Sequence, residues 1–535
     1  MNSVAQGLRR LPPAIWLLLL LPLLAVLSPI PIDETRYLSI AWEMRQTGQW
    51  VTLHLNGLPY FDKPPLLFWL LNAVWAVLGP SLWTARALLV ACGVGCVALC
   101  GRVERKLVPE AGNQASWMML GLIFFVLYTG VVMFDVLLCL CVLSAFLAIV
   151  AYVQERGYKA LLWLFVASAL GVLAKGPVML LHLAGPIVLA RWWSMRSSPR
   201  VTWRTVLVMV LVAVLGGMPA LAWAWAAVHH LNPADAQELL LHQTAGRVVQ
   251  SFAHNRPIWW YLPWVPVLLL PWPLLLRWRR MGHAMNAWRS SRAARFGICA
   301  TVPALLAFCI VSGKQMHYLL PVMPGAAILL SAWFRQDAGL IAVRRVWVLL
   351  VVMVGVLGWA VLSPSPLGNG TLDHATATGL YVLAAVLLVI AMLAYWLGRG
   401  ADPAARVALV ALWAGLAMLP LVRLQAVSAL DVRGVAQRAS ELRASGVPLA
   451  RTGNEPGLLT FLARMPSPLP EARDPEAWCR QHPDGVLLAY QTHGKVPAEA
   501  IAGTRLANGW VALLPSAFVV ARPKSIDKSG DAASD

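Results

Sequence analysis

The chain has 535 residues, 59% of them hydrophobic and only 13% charged. A soluble domain carries about 25% charged residues, so an ordinary soluble fold is excluded and an integral membrane protein is expected. The formal net charge of +19 could suit nucleic acid, but no basic soluble domain or aromatic-basic motif occurs, and membrane proteins concentrate Lys and Arg in cytoplasmic loops.

In chain order, Arg9-Arg10 lead an apolar run that resembles a signal peptide. The run closes on Ser28-Pro29-Ile30-Pro31 with no small-residue cleavage site, so it reads as a retained first span. Runs able to cross roughly 30 Å of hydrocarbon lie near 14–31, 81–101, 115–132, 135–153, 160–174, 177–191, 205–228, 257–276, 293–311, 318–334, 346–362, 377–396 and 405–423. The expected architecture is all-α and polytopic, with about 13 transmembrane helices in residues 1–423. Stretches 34–48 and 64–79 read as interfacial, because charges interrupt the first and the second is short; they fall in an outer segment, 32–80. Residues 229–256 read as an outer loop.

Residues 424–522 read as a small α/β domain. "GVAQRASELRASG" has helical spacing, while "VPLAR", "GVLLAY" and "WVALL…AFVVA" read as strands. Residues 523–535 have the composition of a disordered tail. Seven of the eight cysteines fall in apolar segments, and the stripe Cys92/Cys96/Cys100 reads as helix packing rather than a metal site. No disulfide framework is implied.

Alternating the loops places Arg9/Arg10, Arg102/Arg105/Lys106, Arg156/Lys159, Arg191/Arg196/Arg200/Arg204, the run from Arg277, Arg335/Arg344/Arg345 and Arg399/Arg406 on one side. By the positive-inside rule that side is cytoplasmic, and an odd number of spans puts the C-terminal domain outside. The other face receives Asp33-Glu34, "YFDKPP", Asp135, Lys175, the loop with His242, Arg247 and His254, and "GKQMHYLLPVMP". Ionisable groups at the edge of the hydrocarbon are costly and tend to be functional, so their gathering on one face points to an outward-facing site.

Each of these residues has a plainer reading as well. Asp33 and Asp62 could be helix N-caps, the latter with Pro64-Pro65 in the first turn. Asp135, embedded in "VVMFDVLLC", needs a cation, and Arg86 or Lys63 could supply it in a purely structural pair. Lys175 and Lys314 sit beside Gly or Pro turns, on the wrong side for topology signals, and suit a lipid phosphate. No Ser-His-Asp order, Walker loop, HExxH or CxxC pair occurs.

The stretch "DETRYLSIAWEMRQTGQWVTLHLNGLPYFDKPPLLFWL" resembles the outer-loop signature of bacterial lipid A aminoarabinose transferases and their protein O-mannosyltransferase relatives. The likeness continues through Arg86, Asp135, "AKGP", His242/Arg247, "HNRPIWWYLP…LLPW" and "GKQMHYLLPVMP". It implies a GT-C fold and a glycosyltransferase that moves a sugar from an undecaprenyl-phosphate carrier to lipid A or another envelope acceptor. That reaction would run on the periplasmic side of a bacterial inner membrane, with the N-terminus cytoplasmic.

By the same resemblance, Asp33 with neighbouring Glu34 and Asp135 are catalytic carboxylates. Lys63, Arg247, Tyr60, Tyr318, Arg36, Lys175 and Lys314 line the carrier-phosphate site. Asp62 and His242 match a zinc site, with His254 as a substitute ligand; the family commonly has Glu in "EKPP", and Asp62 is one methylene shorter. Alternatives are protein O-mannosyltransferase-type glycosylation or a lipid-linked-substrate transporter. Transporters place charges at the midplane of inverted repeats, and here the charges lie at one mouth with no repeat in view.

Overall fold

The computed structural model describes residues 12–194, 199–231, 256–363, 374–400, 402–427, 430–453, 455–507 and 509–522. A 3-10 helix, Pro13–Leu23, opens the chain. Helices α1 (Asp33–Thr47) and α2 (Leu66–Leu78) follow, joined through a hairpin of β1 (His54–Leu55) and β2 (Leu58–Pro59).

The bundle then comprises α3 (Leu82–Leu107), α4 (Phe134–Glu155), α5 (Tyr158–Lys175), the shorter α6 (Val178–Val188), α7 (Trp203–His229), α8 (Arg292–Ile310), α9 (Met316–Gln336), α10 (Val343–Leu362), α11 (His374–Leu397) and α12 (Pro403–Gln425). All but α6 are long and apolar enough to cross a membrane, nine among the described residues. This is a multi-pass membrane protein.

The other four expected spans are shorter or broken. The run at 115–132 divides into Gln114–Leu120 and Ile123–Thr129. At the break, the Ile123 N–H donates to the Leu270 carbonyl, and Trp272 Nε1 donates to the Met118 carbonyl at 2.9 Å. The partner run, 257–276, carries five prolines that remove backbone donors, and it folds as turns with short helices Val265–Leu268 and Trp272–Leu275. Irregular backbone at membrane depth survives where protein satisfies it, and these two segments satisfy each other.

The cysteine stripe packs α3 as expected. Cys96 and Cys100 are fully buried, with their thiols on the Val136 and Ala115 carbonyls. Small residues allow this close approach where lipid supplies no hydrophobic drive between helices. Exposed Val and Leu side chains on α7, α10 and α11 form the lipid-facing surface.

The two ends of the bundle differ. At one, buried Glu104 takes Arg335 and Ser331 and accepts the Ala115 N–H at 2.7 Å, while Lys106 pairs with Glu155 and Arg280 with Asp337. Of the expected cytoplasmic cations, Arg105, Lys106, Arg280 and Arg335 lie here; Arg9, Arg10 and Arg196 are outside the described residues. The carboxylates and lysines of the candidate site lie at the other end.

The C-terminal region holds α13 (Arg433–Ala444), β3 (Leu449–Arg451), α14 (Pro475–Gln481), β4 (Val486–Gln491), β5 (Ala502–Leu506), β6 (Gly509–Pro515) and α15 (Ser516–Ala521). The sheet runs β3-β4-β6-β5, with β3 parallel to β4 and the other pairs antiparallel. "AFVVA", expected as strand, is helix α15. Strand β5, "AGTRL", lacks a buried run and was not expected; its alternating burial marks a sheet edge.

This domain docks on α1 and α2 through residues 455–465. Ser39 Oγ donates to the Gly457 carbonyl at 2.9 Å and Trp42 Nε1 to Met465 O at 2.8 Å. Phe461 stacks on Trp75 at 5.1 Å, and Arg464 lies over Phe461 and Trp42. Asn56 bonds the Glu455 carboxylate and backbone and accepts Thr460. Gly457 has φ +82°, and a Cβ there would lie 2.5 Å from Leu55 Cδ1. Gly457→Ala is therefore expected to loosen the docked segment at a cost of about 1–3 kcal/mol, read as a lower Tm in detergent; an unchanged Tm would contradict the docking.

Candidate functional site

The site begins with the backbone ahead of α1. Ile32 has φ +70° and ψ −61°, with the Asp33 N–H bonded to the Pro31 carbonyl at 2.9 Å. This is a γ-turn in its rare, strained form, costing about 1–3 kcal/mol at a β-branched residue. It persists because Thr35 Oγ1 accepts the Ile32 N–H and Glu34 accepts the Ile30 N–H, both at 3.0 Å.

The N-cap is thus Ile32 and the capping oxygen belongs to Thr35, so the cap reading of Asp33 fails. The cap reading of Asp62 fails too: α2 starts at Leu66 behind Pro65, with no side-chain cap. Asp33 projects half-buried from the first turn of α1, where the helix dipole favours its negative charge.

Glu34 has a different fate from its neighbour. It is fully buried and forms a two-oxygen pair with Arg86, 2.9 Å from Nε and 2.6 Å from Nη2. Arg86 also donates to the carbonyls of Leu24, Leu27 and Ser28, and Glu34 accepts the Val132 N–H at 3.0 Å. One buried pair therefore ties the first span, α1 and the entry to α4. The expectation of a catalytic Glu34 is corrected to a positioning role, since every lone pair is turned inward.

Asp135 is 2% exposed. Its partner is neither Arg86 nor Lys63 but Lys175, at 2.5 Å from the C-terminal end of α5. Lys175 Nζ also lies 4.3 Å from the Tyr318 ring centroid. The second Asp135 oxygen is 3.8 Å from His317 Nε2, and His317 lies against Tyr128 and Tyr318. Asp33 and Lys63 lie in the same electrostatic neighbourhood of His317 as Asp135 and Lys175.

Tyr60, Asp33 and Asp135 also act on the Tyr37 hydroxyl. Burial foremost, then Tyr60, Asp33 and Asp135 against an opposing Arg36, holds it well above its ordinary pKa, so it stays a donor. Beneath, Tyr37, Phe68 and Phe134 pack edge to face at 4.8–6.4 Å and exclude water from the floor.

Two expected phosphate ligands make contacts to backbone oxygens. Lys314 Nζ donates to the Arg256 and Val311 carbonyls at 3.0 and 2.5 Å, closing the end of α8. Arg36 Nε reaches the Pro456 carbonyl at 3.4 Å, joining the C-terminal domain to α1. Lys314 is corrected to a structural contact, because its ammonium is held by two backbone oxygens; Arg36 commits one donor to backbone while its charge still bears on Tyr37.

His317 carried a weak signal in the sequence, and Tyr37 and Tyr128 carried none. Their membership comes from three segments that converge only when folded. Arg247, His242 and His254 lie outside the described residues. Of the zinc ligands only Asp62 is therefore placed, and among the described residues no group of three His, Cys, Asp or Glu side chains could hold a metal.

The chain shares its fold with a solved membrane-protein structure. It superposes on the crystal structure of ArnT from Cupriavidus metallidurans in the apo state with TM-score 0.73 and 18% identity, covering 96% of this chain and 98% of that one. The same protein bound to undecaprenyl phosphate matches with TM-score 0.71 and 17% identity, over 94% and 96%.

Residues 62–223 match the family described as dolichyl-phosphate-mannose-protein mannosyltransferase. The chain is 31% identical over 338 residues to undecaprenyl phosphate-alpha-4-amino-4-deoxy-L-arabinose arabinosyl transferase 1 of Pseudomonas fluorescens strain Pf0-1, covering 60% of this chain and 57% of that protein. To transferase 2 of strain Pf-5 it is 28% identical over 411 residues, covering 74% and 66%. The aligned chain thus spans 57–66% of the length of these two relatives.

Proposed function

We propose that the chain is a polyprenyl-phosphate-sugar-dependent glycosyltransferase of the bacterial inner membrane. It moves 4-amino-4-deoxy-L-arabinose or a related sugar from undecaprenyl phosphate to lipid A or another envelope acceptor on the periplasmic side. The carrying observation is the convergence of Asp33, Asp135, Lys175, His317 and Lys63 at one end of the bundle. The basic loops at the opposite end support a cytoplasmic N-terminus and a periplasmic C-terminal domain.

Rupture of the sugar–phosphate bond leaves extra negative charge on the carrier phosphate. Preplaced cations in a water-poor site stabilise that charge without reorganising. Lys63 and Arg247 clamp the phosphate, and Tyr60 and Tyr318 line its cavity. Asp135 fixes Lys175 over Tyr318 and presents it toward the same space. Asp33, free of a capping role, is the base for a hydroxyl acceptor or the group that orients an acceptor already anionic.

A second reading, protein O-mannosyltransferase-type transfer, draws on the family match over 62–223. Mass spectrometry of lipid A and of envelope glycoproteins from cells with and without the gene separates the two. Loss of an aminopentose from lipid A supports the first reading, and loss of hexose from glycoproteins the second. Unchanged glycolipids and glycoproteins would contradict both.

A further inference from the structure

A second cavity lies in the C-terminal domain, away from the candidate site. It measures about 430 Å³, within the range of small-molecule pockets. It opens at the end of β4 and β6, beside α15 and the loop 493–499. Its wall includes Gln491, the last residue of β4, which is 8% exposed; its amide nitrogen has no hydrogen-bond partner among the described residues. A buried N–H without an acceptor is costly, about 1–3 kcal/mol, and such groups in native folds call for an explanation.

The surrounding backbone is firmly held. Trp510 Nε1 donates to the His493 carbonyl at 3.0 Å, which pins the loop. Gly509, at φ +103°, presses so closely on Gln491 that a Cβ would lie 1.8 Å from the Gln491 carbonyl oxygen.

The mouth carries a net positive charge: Lys495, Arg522 and Glu499 line it, and Glu499 pairs with Arg522 at 3.0 Å, which leaves Lys495 as the excess cation. Phe518 and Pro497 give the wall an apolar face. A deep amide donor, an apolar face and a cationic mouth together suit a sugar ring that bears an anionic substituent. The volume is more than a bare phosphate fills.

We propose that this cavity binds an anionic saccharide, with Gln491 donating to a ring or hydroxyl oxygen and Lys495 and Arg522 holding the phosphate or carboxylate. The inference stands on the cavity and is independent of the transfer reaction. The saccharide could come from a glycolipid headgroup or from a soluble sugar phosphate, which share this chemistry.

The test uses the full chain in nanodiscs and saturation-transfer NMR with glucosamine 1-phosphate, glucose and inorganic phosphate as separate probes. Glucosamine 1-phosphate is expected to bind, and to bind about ten-fold more weakly in Gln491→Leu and in the exposed variant Lys495→Glu. Lys63→Ala is expected to leave that signal in place. Loss of the signal by lipid A in the same nanodisc assigns the saccharide to a lipid headgroup, and persistence assigns it to a soluble sugar. Equal binding by Lys495→Glu and the parent chain would overturn the proposal, as would phosphate binding as well as the sugar phosphate.

Discussion

Asp33→Asn is expected to fold with only a small fall in Tm, from the lost helix-dipole contribution of about 0.3–1 kcal/mol, and to lose transfer by about 100- to 10,000-fold, the usual contribution of a positioned acid–base group. The expectation rests on what Asp33 does not do. Helix α1 is capped by Thr35 at Ile32, so the carboxylate has no cap to lose. The substitution keeps the shape while removing the charge and turning one acceptor oxygen into an NH2 donor, and so removes the carboxylate's capacity to take a proton. The strained turn at Ile32 is consistent with this, because backbone strain persists where the surroundings over-determine it and clusters at functional sites. Normal transfer by Asp33→Asn, measured per folded molecule, would remove this carboxylate from the mechanism.

The neighbouring residue should behave in the opposite way. Arg86→Met leaves Glu34 charged and buried without its partner, a loss of about 3–5 kcal/mol, expected as a large fall in Tm and in the yield of monodisperse protein. The double variant Glu34→Leu/Arg86→Met should not recover the parent's stability. An isolated ion pair can be replaced by apolar side chains at little cost, but here three carbonyls and two amide N–H groups also depend on it. Full rescue by the double variant would show the hub to be a simple pair. Adjacent residues, one affecting turnover and the other stability, give a sharp contrast for a single pair of measurements.

Much of the bundle was legible in the chain because hydropathy runs report directly on the bilayer. Nine of the expected spans are helices of crossing length. The failures have a common cause: where prolines between 257 and 276 leave backbone groups unpaired, the partner was the distant segment 118–123, and no local pattern announces it. Similarly, "AFVVA" carries strand-type residues, but they follow Pro515 and form the short helix α15 against the sheet.

The site was legible as a set of residue types on one face, and much less so as a set of partners. Asp135 visibly needed a cation, yet Lys175 lies forty positions away and only the packing of α4 on α5 selects it over Arg86. Glu34 looked equivalent to Asp33 in the sequence. The helical turn points one at the cavity and the other at Arg86. Lys314 looked like a phosphate ligand because one of its backbone acceptors, Arg256, comes from a segment that meets it only in the folded chain, as Pro456 meets Arg36.

Reconstitution tests the central claim most directly. The purified full chain, placed in liposomes with undecaprenyl phosphate-linked aminoarabinose and lipid A, is followed by mass spectrometry of both lipids. The account predicts free undecaprenyl phosphate appearing in step with aminopentose-bearing lipid A, and neither product with Asp33→Asn. A sugar-loaded carrier that stays intact with every envelope acceptor supplied, while the chain is folded, would contradict it.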